Sequence, residues 1–183
     1  MESREVTDMS DVVLVIDMQR GFLEEGHPLF VGEKARAIIP NVQSLLDREI
    51  GRGSTLLFTA DTHAQDDAEF EMWPPHCVEG TEEVEIIPEL AGYPHEKVPK
   101  TRYSAFYATD LEDRLKELQP EKILVCGCCI DICILHTVAD ARNRDYQVQV
   151  YTDCAAIIDE SMTGFALKHM EKVLGAELAT LAG

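Results

Sequence analysis

The chain has 183 residues, of which 45% are hydrophobic, and its 34 acidic and 16 basic residues give a formal net charge of −18 at pH 7. Proteins that follow a nucleic-acid backbone or an anionic membrane need clusters of Lys and Arg, so this charge argues against both as partners. The polar N-terminus, MESREVTDMS, does not resemble a signal peptide, and the apolar run ILVCGCCI is far shorter than the roughly 20 residues that span a bilayer. We therefore expect a cytoplasmic protein with reduced thiols and a single domain over residues 1–183.

The first half of the chain predicts two strands, one long helix and an irregular segment. Residues 11–17, DVVLVID, are almost entirely apolar, which is typical of a strand buried on both faces of a parallel sheet. Apolar residues then recur at helical spacing from Ala35 to Ile50, with Pro40 marking either the start of the regular helix or a kink. Residues 54–61 are predicted as a second strand. Residues 61–90 show little periodicity, and such a long segment inside a compact domain is usually functional or disordered.

The second half continues the alternation of strands and helices. Strands are predicted at residues 95–100, 121–127 and 146–153, with a last short strand within 176–181; helices are predicted at 110–118, capped by Thr109, at 131–142 and at 160–174. This alternation predicts an α/β fold, a three-layer Rossmann-like sandwich with a mostly parallel six-stranded sheet and helices on both faces. Ligands of such sheets bind beyond the carboxyl ends of the strands.

Three reactive side chains fall at predicted strand ends. Asp17 closes the first strand, Lys100 closes the third, and Cys133 opens the helix that follows the fourth. A thiol in the first turn of a helix and near an ammonium is favoured as thiolate, so the three residues are candidates for a nucleophile, a base and an orienting group. Spacing alone also permits a simpler interpretation, in which the cysteine fills the core and the aspartate forms a turn.

The irregular segment contains candidate metal ligands. Asp61 and His63 are two residues apart and project to one side of an extended chain, and EFEMWPPH adds Glu69 or Glu71 together with His76. Two imidazoles and two carboxylates are suitable ligands for zinc, iron or manganese. The alternative is that these side chains are solvated loop residues of a very acidic protein.

Three motifs together resemble the isochorismatase-like cysteine hydrolase superfamily over nearly the whole chain. They are VIDMQRGF at 15–22, KTRYSAF at 100–106 and GCCIDICILHTVADA at 127–141. The resemblance implies a catalytic triad of Asp17, Lys100 and Cys133. It also implies a cis peptide bond between Cys128 and Cys129, with the backbone N–H groups of Cys129 and Cys133 as an oxyanion hole. Ile130 departs from the family pattern, which usually has Thr at this position.

Within that superfamily, the DTH and WPPH motifs resemble the nicotinamidase branch. The resemblance implies one divalent metal ion (Zn, Fe or Mn) held by Asp61, His63, His76 and a fourth ligand, for which Glu69 is the first choice and Glu71 the second. It also implies substrate-binding roles for three aromatic residues, Phe22, Trp73 and Tyr103. For each of these aromatic residues, plain packing is the alternative.

The function that this resemblance implies is metal-assisted hydrolysis of nicotinamide to nicotinate and ammonia through a thioester. The expected partners are a small-molecule substrate and further copies of the same chain in a homo-oligomer. One alternative is a family hydrolase for another small amide, carbamoyl or enol-ether substrate, and another is a non-catalytic binding member of the family. A structural zinc module at the cysteine cluster is disfavoured, because such sites usually draw cysteine pairs from two separate segments, whereas Cys126, Cys128, Cys129 and Cys133 lie in one.

Overall fold

A parallel sheet with helices on both faces organises the protein. The computed structural model describes residues 10–182, and within them six strands form one sheet in the order β3-β2-β1-β4-β5-β6. The strands are β1 (Val12–Ile16), β2 (Thr55–Asp61), β3 (Glu96–Lys100), β4 (Ile123–Gly127), β5 (Val148–Ala155) and β6 (Glu177–Ala179). All neighbouring strands pair in parallel. The predicted α/β fold is confirmed, and the polar segment used to argue against a signal peptide lies outside the described residues except for Ser10.

The helices cover the two faces of this sheet. They are α1 (Arg20–Leu23), α2 (Glu33–Arg36), α3 (Ile39–Ile50), α4 (Pro88–Ala91), α5 (Leu111–Leu118), α6 (Leu135–Arg142) and α7 (Glu160–Lys172). Alternate residues of β1 enter two separate cores: Val13 and Val15 pack with α3, whereas Leu14 and Ile16 pack with α5, α6 and α7. Strand β1 is thus buried on both faces, which explains its unbroken apolar sequence. No helix in residues 10–182 combines the length and apolar character needed to cross a bilayer.

Two predicted helices differ from the structure at their starts. The helix predicted from Ala35 is divided into α2 and α3, and Pro40 lies in the first turn of α3, where its missing N–H has no helical partner to lose. The helix predicted from residue 131 begins as a π-helical turn, Ile130–Ile134, before α6. Helix α5 begins at Leu111, and the hydroxyl of Thr109 accepts a hydrogen bond from the Leu111 N–H at 3.2 Å.

The segment predicted to be irregular, residues 61–90, contains only two 3-10 turns, Ala68–Glu71 and Glu82–Val84, and the start of α4. It is nevertheless ordered by backbone pairing. The N–H of His63 donates to the carbonyl of Cys77 at 2.9 Å, and the N–H of Glu79 donates to the carbonyl of His63 at 2.8 Å. This parallel bridge returns the chain to the end of β2 and brings His76 beside His63.

The turn after β4 depends on one glycine. Gly127 has a φ of +117°, and a Cβ at this position would lie 2.1 Å from the carbonyl oxygen of Ile16 in the neighbouring strand. The close approach lets the Cys128 N–H donate to that same oxygen at 2.8 Å. A residue without a side chain is therefore required where β4 leads into the segment that carries Cys133.

We expect Gly127→Ala to destabilise the protein by at least about 3 kcal/mol, because the new methyl group overlaps the backbone of β1 and the φ is unfavourable for a residue with a Cβ. Urea unfolding would measure the loss. Gly164→Ala is the matched control, since Gly164 lies in α7 with open space around it and alanine in a helix is favoured by about 0.5–1 kcal/mol. Equal unfolding midpoints for the two variants would contradict the steric argument.

Candidate active site

Lys100 lies at the centre of a buried cluster at the carboxyl ends of the strands. Its Nζ is 2.8 Å from Oδ2 of Asp17 and 2.7 Å from Oδ1 of Asp61. The same Nζ is 3.8 Å from Sγ of Cys133. Burial alone would lower the pKa of Lys100, but the carboxylates of Asp17 and Asp61 outweigh burial and hold the pKa well above its usual value. The two carboxylates therefore favour the charged form of Lys100, and the structure brings the three predicted triad residues together.

Asp17 is held by its own backbone conformation and by β2. It follows β1 directly and has a φ of +50°, a left-handed conformation that aspartate tolerates better than most residues. The hydroxyl of Thr59 donates to Oδ1 of Asp17 at 2.6 Å and accepts from its backbone N–H at 3.1 Å. Burial raises the pKa of Asp17, and the ammonium of Lys100 offsets that rise only in part. A carboxyl group with a raised pKa is a better proton acceptor than an ordinary aspartate.

Cys133 lies in the π-helical turn and is 8% exposed. Burial raises the pKa of the Cys133 thiol, and the carboxylates of Asp17 and Asp61 raise it further, whereas Lys100 lowers it. The lysine thus favours the thiolate as the sequence predicts, but burial and the two carboxylates outweigh it. A thiol whose pKa is raised needs a neighbouring base to take its proton before the sulfur can attack.

The backbone before Cys133 has the predicted cis peptide bond, between Cys128 and Cys129. The N–H of Cys129 donates to no acceptor among the described residues, whereas the carbonyl of Cys129 accepts from Ile132 and Ile134. Ile130, where the family usually has Thr, is buried and donates its backbone N–H to Ala156 at 2.8 Å. The local fold is thus completed by backbone bonds without a hydroxyl at this position.

A second buried group of side chains lies beside the first. Asp61, His63, Glu69 and His76 each offer one ligand atom, and these atoms all lie within 4.8 Å of one another. All four residues are buried, with 5% exposure or less. Glu71, the second choice for the fourth ligand, is exposed. The 3-10 turn that carries both glutamates directs Glu69 inward, so the structure favours Glu69.

Both imidazoles present the same nitrogen to this group. Nδ1 of His63 lies 3.0 Å from Oδ2 of Asp67, and Nδ1 of His76 lies 2.9 Å from the carbonyl oxygen of Pro74. Because these oxygens only accept hydrogen bonds, each Nδ1 carries a hydrogen, which leaves Nε2 of the neutral ring as the available ligand atom. Nε2 of His63 and Oε2 of Glu69 are buried without a hydrogen-bond partner. Buried nitrogen and oxygen atoms that lack a hydrogen-bond partner are suitable ligand atoms for a metal ion.

The formal charges also fit a divalent cation. The carboxyl groups of Asp17, Asp61 and Glu69 surround a single ammonium, that of Lys100. Burial raises the pKa of Glu69 and the nearby Asp61 raises it further, despite the two imidazoles. The pKa of Asp61, which burial alone would raise, is lowered chiefly by Lys100 and then by the histidines. Buried carboxylates in excess of buried cations are commonly neutralised by a metal.

A pocket opens above Cys133, and the three predicted aromatic residues line it. Phe22, Trp73 and Tyr103 face the same space as Asp17 and Cys133. The remaining lining residues are Leu29, Asp61, Glu69, His76, Cys128, Cys129, Ile132 and Ile158. Nε1 of Trp73 donates to the hydroxyl of Tyr103 at 3.0 Å. This bond joins the segment that holds the metal-ligand group to the segment that follows Lys100.

Comparison with known protein families identifies the family to which this fold belongs. A family model described as "Isochorismatase domain" matches residues 11–182. The chain belongs to the isochorismatase family. It is thus an isochorismatase-family hydrolase, as the three sequence motifs predict.

Individual members of the isochorismatase family resemble the chain over nearly its whole length. An "uncharacterized isochorismatase family protein PncA" of Bacillus subtilis (strain 168) is 32% identical, over 93% of this chain and 100% of the relative. The crystal structure of nicotinamidase PncA from Bacillus subtilis is 34% identical and has a TM-score of 0.87, over 93% of this chain and 99% of its own. The structure of pyrazinamidase of Pyrococcus horikoshii in complex with zinc is 27% identical, with a TM-score of 0.86 over 94% and 99%.

Sequence reasoning missed the residues that support this site. Thr59 lies inside β2 and gave no signal, although its hydroxyl holds Asp17. Gln19 is fully buried, and its amide exchanges two hydrogen bonds with the backbone of Asp61, at 2.9 and 2.7 Å. Asp67 stands among several acids in DDAEFE, where nothing in the sequence distinguishes it. The one available indication in the sequence was Gln19, a polar residue two positions after the strand-end Asp17.

Removal of the central ammonium should be costly. We expect Lys100→Met to destabilise the metal-free protein by about 3–5 kcal/mol, because it leaves the buried carboxylates of Asp17 and Asp61 without a counter-ion. Urea unfolding at pH 7 would measure the change. Lys34→Met is the control, since Lys34 is highly exposed in α2 and its one ion pair within residues 10–182 is with the exposed Glu160; such pairs contribute little. A similar small loss in both variants would contradict the buried-charge argument.

Proposed function

We propose that this isochorismatase-family hydrolase is a metal-assisted cysteine amidohydrolase that converts nicotinamide to nicotinate and ammonia through a thioester. The observation that carries the proposal is the contact between two groups: Lys100 touches both Asp17 of the candidate triad and Asp61 of the candidate metal site. A nucleophile and a metal-ligand group are therefore side by side in one pocket. The likeness to nicotinamidase and pyrazinamidase structures supports the same reaction class.

The lining of the pocket favours a neutral aromatic substrate. Its apolar walls include Phe22, Trp73 and Ile132, and among the described lining residues there is no arginine or lysine. Substrates that carry a carboxylate, such as isochorismate or a carbamoyl amino acid, would meet the carboxyl groups of Asp17 and Glu69 with no basic side chain to receive them. Nicotinamide carries no charge, and the anionic product, nicotinate, is repelled by the same carboxylates.

The metal-ligand group is proposed to orient the substrate. Asp61, His63, Glu69 and His76 would hold one divalent ion, which supplies a Lewis acid for the ring nitrogen of the substrate. Phe22 and Trp73 would hold the faces of the ring, and Tyr103 fixes Trp73 through its hydrogen bond. With the ring held in this way, the amide carbon would lie over Cys133, which would lower the entropic part of the barrier.

The chemical steps are assigned to the triad. Asp17 takes the proton of the Cys133 thiol, and the sulfur attacks the amide carbon. The negative charge that develops on the amide oxygen is received by the backbone N–H groups of Cys129 and Cys133. The protonated Asp17 then gives its proton to the departing nitrogen, so that ammonia leaves and a thioester remains. Asp17 next takes a proton from water, whose oxygen attacks the thioester and releases nicotinate; the Cys133 sulfur regains a proton. Lys100 stays charged throughout.

The nucleophile is testable by a single substitution. We expect Cys133→Ala to lower ammonia release from nicotinamide by at least about 1,000-fold, since losing a nucleophile removes the covalent route altogether. Cys126→Ala is the matched control, because Cys126 is an equally buried cysteine that lies in β4 and does not line the pocket. Activity that survives in Cys133→Ala, or disappears equally in both variants, would overturn the assignment.

The metal and the substrate are testable together. We expect ammonia release to fall after chelation, to return with zinc, iron or manganese, and to be faster for nicotinamide and pyrazinamide than for carbamoyl compounds.

Glu69→Gln should weaken zinc binding about 10-fold or more, because it removes a charged ligand, whereas Glu71→Gln should not, because Glu71 is exposed. Measurements are an ammonia assay and zinc titration of the metal-free protein. Indifference to chelation, or preference for a carbamoyl substrate, would refute the proposed reaction.

A further inference from the structure

We infer that Asp67, supported by Arg102, is a positioning residue that sets the ring and tautomer of His63 and the position of Glu69 for metal binding. This inference rests on the metal site of the proposed function. It assigns a role to two residues that lie outside the candidate ligand set and outside the triad. It also predicts that metal affinity depends on a carboxylate that is not itself a candidate ligand.

Asp67 makes one hydrogen bond to each of two candidate ligands. Its Oδ2 lies 3.0 Å from Nδ1 of His63, and its Oδ1 accepts from the backbone N–H of Glu69 at 2.9 Å. The first bond fixes the hydrogen of His63 on Nδ1, which leaves Nε2 as the ligand atom. The second bond caps the 3-10 turn that directs Glu69 inward. One carboxylate thus orients an imidazole and a carboxyl group at the same time.

Arg102 holds this carboxylate from the far side. Its guanidinium lies 3.0 Å from Oδ1 and 3.1 Å from Oδ2 of Asp67. The side chain of Asp67 is only 7% exposed, whereas that of Arg102 is 38% exposed, so Arg102 closes the site toward solvent. Arg102 stands between Lys100 and Tyr103 in the chain. The ion pair between Arg102 and Asp67 therefore connects the segment of the metal-ligand group to the segment that contains Lys100 and Tyr103.

The two candidate imidazole ligands differ in how they are held, which makes the role of Asp67 accessible to experiment. His76 is oriented by the carbonyl oxygen of Pro74, which no side-chain substitution removes. His63 is oriented by a side chain, and Nε2 of His63 is buried without another hydrogen-bond partner. Loss of the Asp67 carboxylate would free the His63 ring to exchange its tautomers, while the His76 ring would stay as it is.

The test compares Asp67→Ala with Asp66→Ala in the metal-free protein. Asp66 is the adjacent residue, has the same charge and is exposed, and its side chain forms no hydrogen bond or ion pair within residues 10–182. Zinc titration against a coloured competing chelator would give the affinities. We expect Asp67→Ala to bind zinc about 10–100-fold more weakly than the wild type, as is usual when a partner of a metal-bound histidine is removed. Asp66→Ala should match the wild type.

A second readout does not require metal. Nitrogen-15 NMR of the histidine rings in the metal-free protein, recorded at a pH high enough for the imidazoles to be neutral, should show His63 with its hydrogen on Nδ1 in the wild type and in Asp66→Ala, and a mixture of tautomers in Asp67→Ala. The His76 signals should not change. A purely structural role of Asp67 would lower the melting temperature without this selective change. An unchanged His63 tautomer, or equal zinc affinity in Asp67→Ala and Asp66→Ala, would overturn the inference.

Two further variants keep the test decisive if Asp67→Ala does not fold. Asp67→Asn retains one acceptor oxygen and should weaken zinc binding less than alanine does. Arg102→Met keeps the apolar stem but removes the charge. It should weaken zinc binding measurably, but by less than about 10-fold, because Asp67 still reaches His63. Wild-type affinities in both variants would overturn the inference. If the wild type itself binds no zinc, the proposed metal site fails, and the His63 tautomer still decides the role of Asp67.

Discussion

The ammonium of Lys100, buried between the carboxylates of Asp17 and Asp61, is the interaction on which the site depends. Three charges removed from water are tolerated only if their distances are kept short, so the ends of three strands must be held in a fixed register. Lys100 pairs with Asp61 directly across β3 and β2, and β2 pairs with β1, which ends just before Asp17. A hydrogen bond from Thr59 holds the carboxylate of Asp17, and two hydrogen bonds with Gln19 hold the backbone of Asp61. The parallel sheet is therefore the frame that makes this buried ion cluster possible.

The same cluster has more carboxyl groups than ammonium groups, and the proposed substrate preference depends on that excess. Asp17, Asp61 and Glu69 lie near one ammonium, in a protein whose overall formal charge is −18. A divalent cation at the histidine-containing group would balance the excess locally, whereas an anionic ligand would add to it. Under the proposed function, the same buried carboxylates would therefore disfavour substrates that carry a carboxylate, and the apolar walls on the other sides of the pocket would favour a flat neutral ring.

Much of this arrangement is predictable from sequence because it depends on local patterns. The sheet follows from apolar runs bounded by turns. Asp17, Lys100 and Cys133 were candidates because parallel strands bring their carboxyl ends to one edge, and the resemblance to the family's three motifs singled them out. Glu69 and Glu71 could not be separated, since a 3-10 turn and an α-helix direct those two side chains differently. Thr59, Gln19 and Asp67 were missed because their roles arise from hydrogen bonds to partners that the fold, rather than the sequence, brings near. The raised pKa of Cys133 was missed for a related reason: one lysine is shared by two carboxylates, and sharing is visible only in three dimensions.

The raised pKa of the Cys133 thiol connects the two halves of the site. Burial raises that pKa, and so do the carboxylates of Asp17 and Asp61, while Lys100 acts in the opposite direction. A divalent cation bound next to Asp61 would cancel part of that negative charge, so that the ammonium of Lys100 would lower the pKa of the thiol more strongly. The metal-ligand group would then act twice, since it orients the substrate and also makes loss of the thiol proton less costly. The distance of 3.8 Å between Nζ of Lys100 and Sγ of Cys133 is short enough for this effect to be felt directly. On this argument the triad and the metal group are one electrostatic unit, and Lys100 is the residue that joins them.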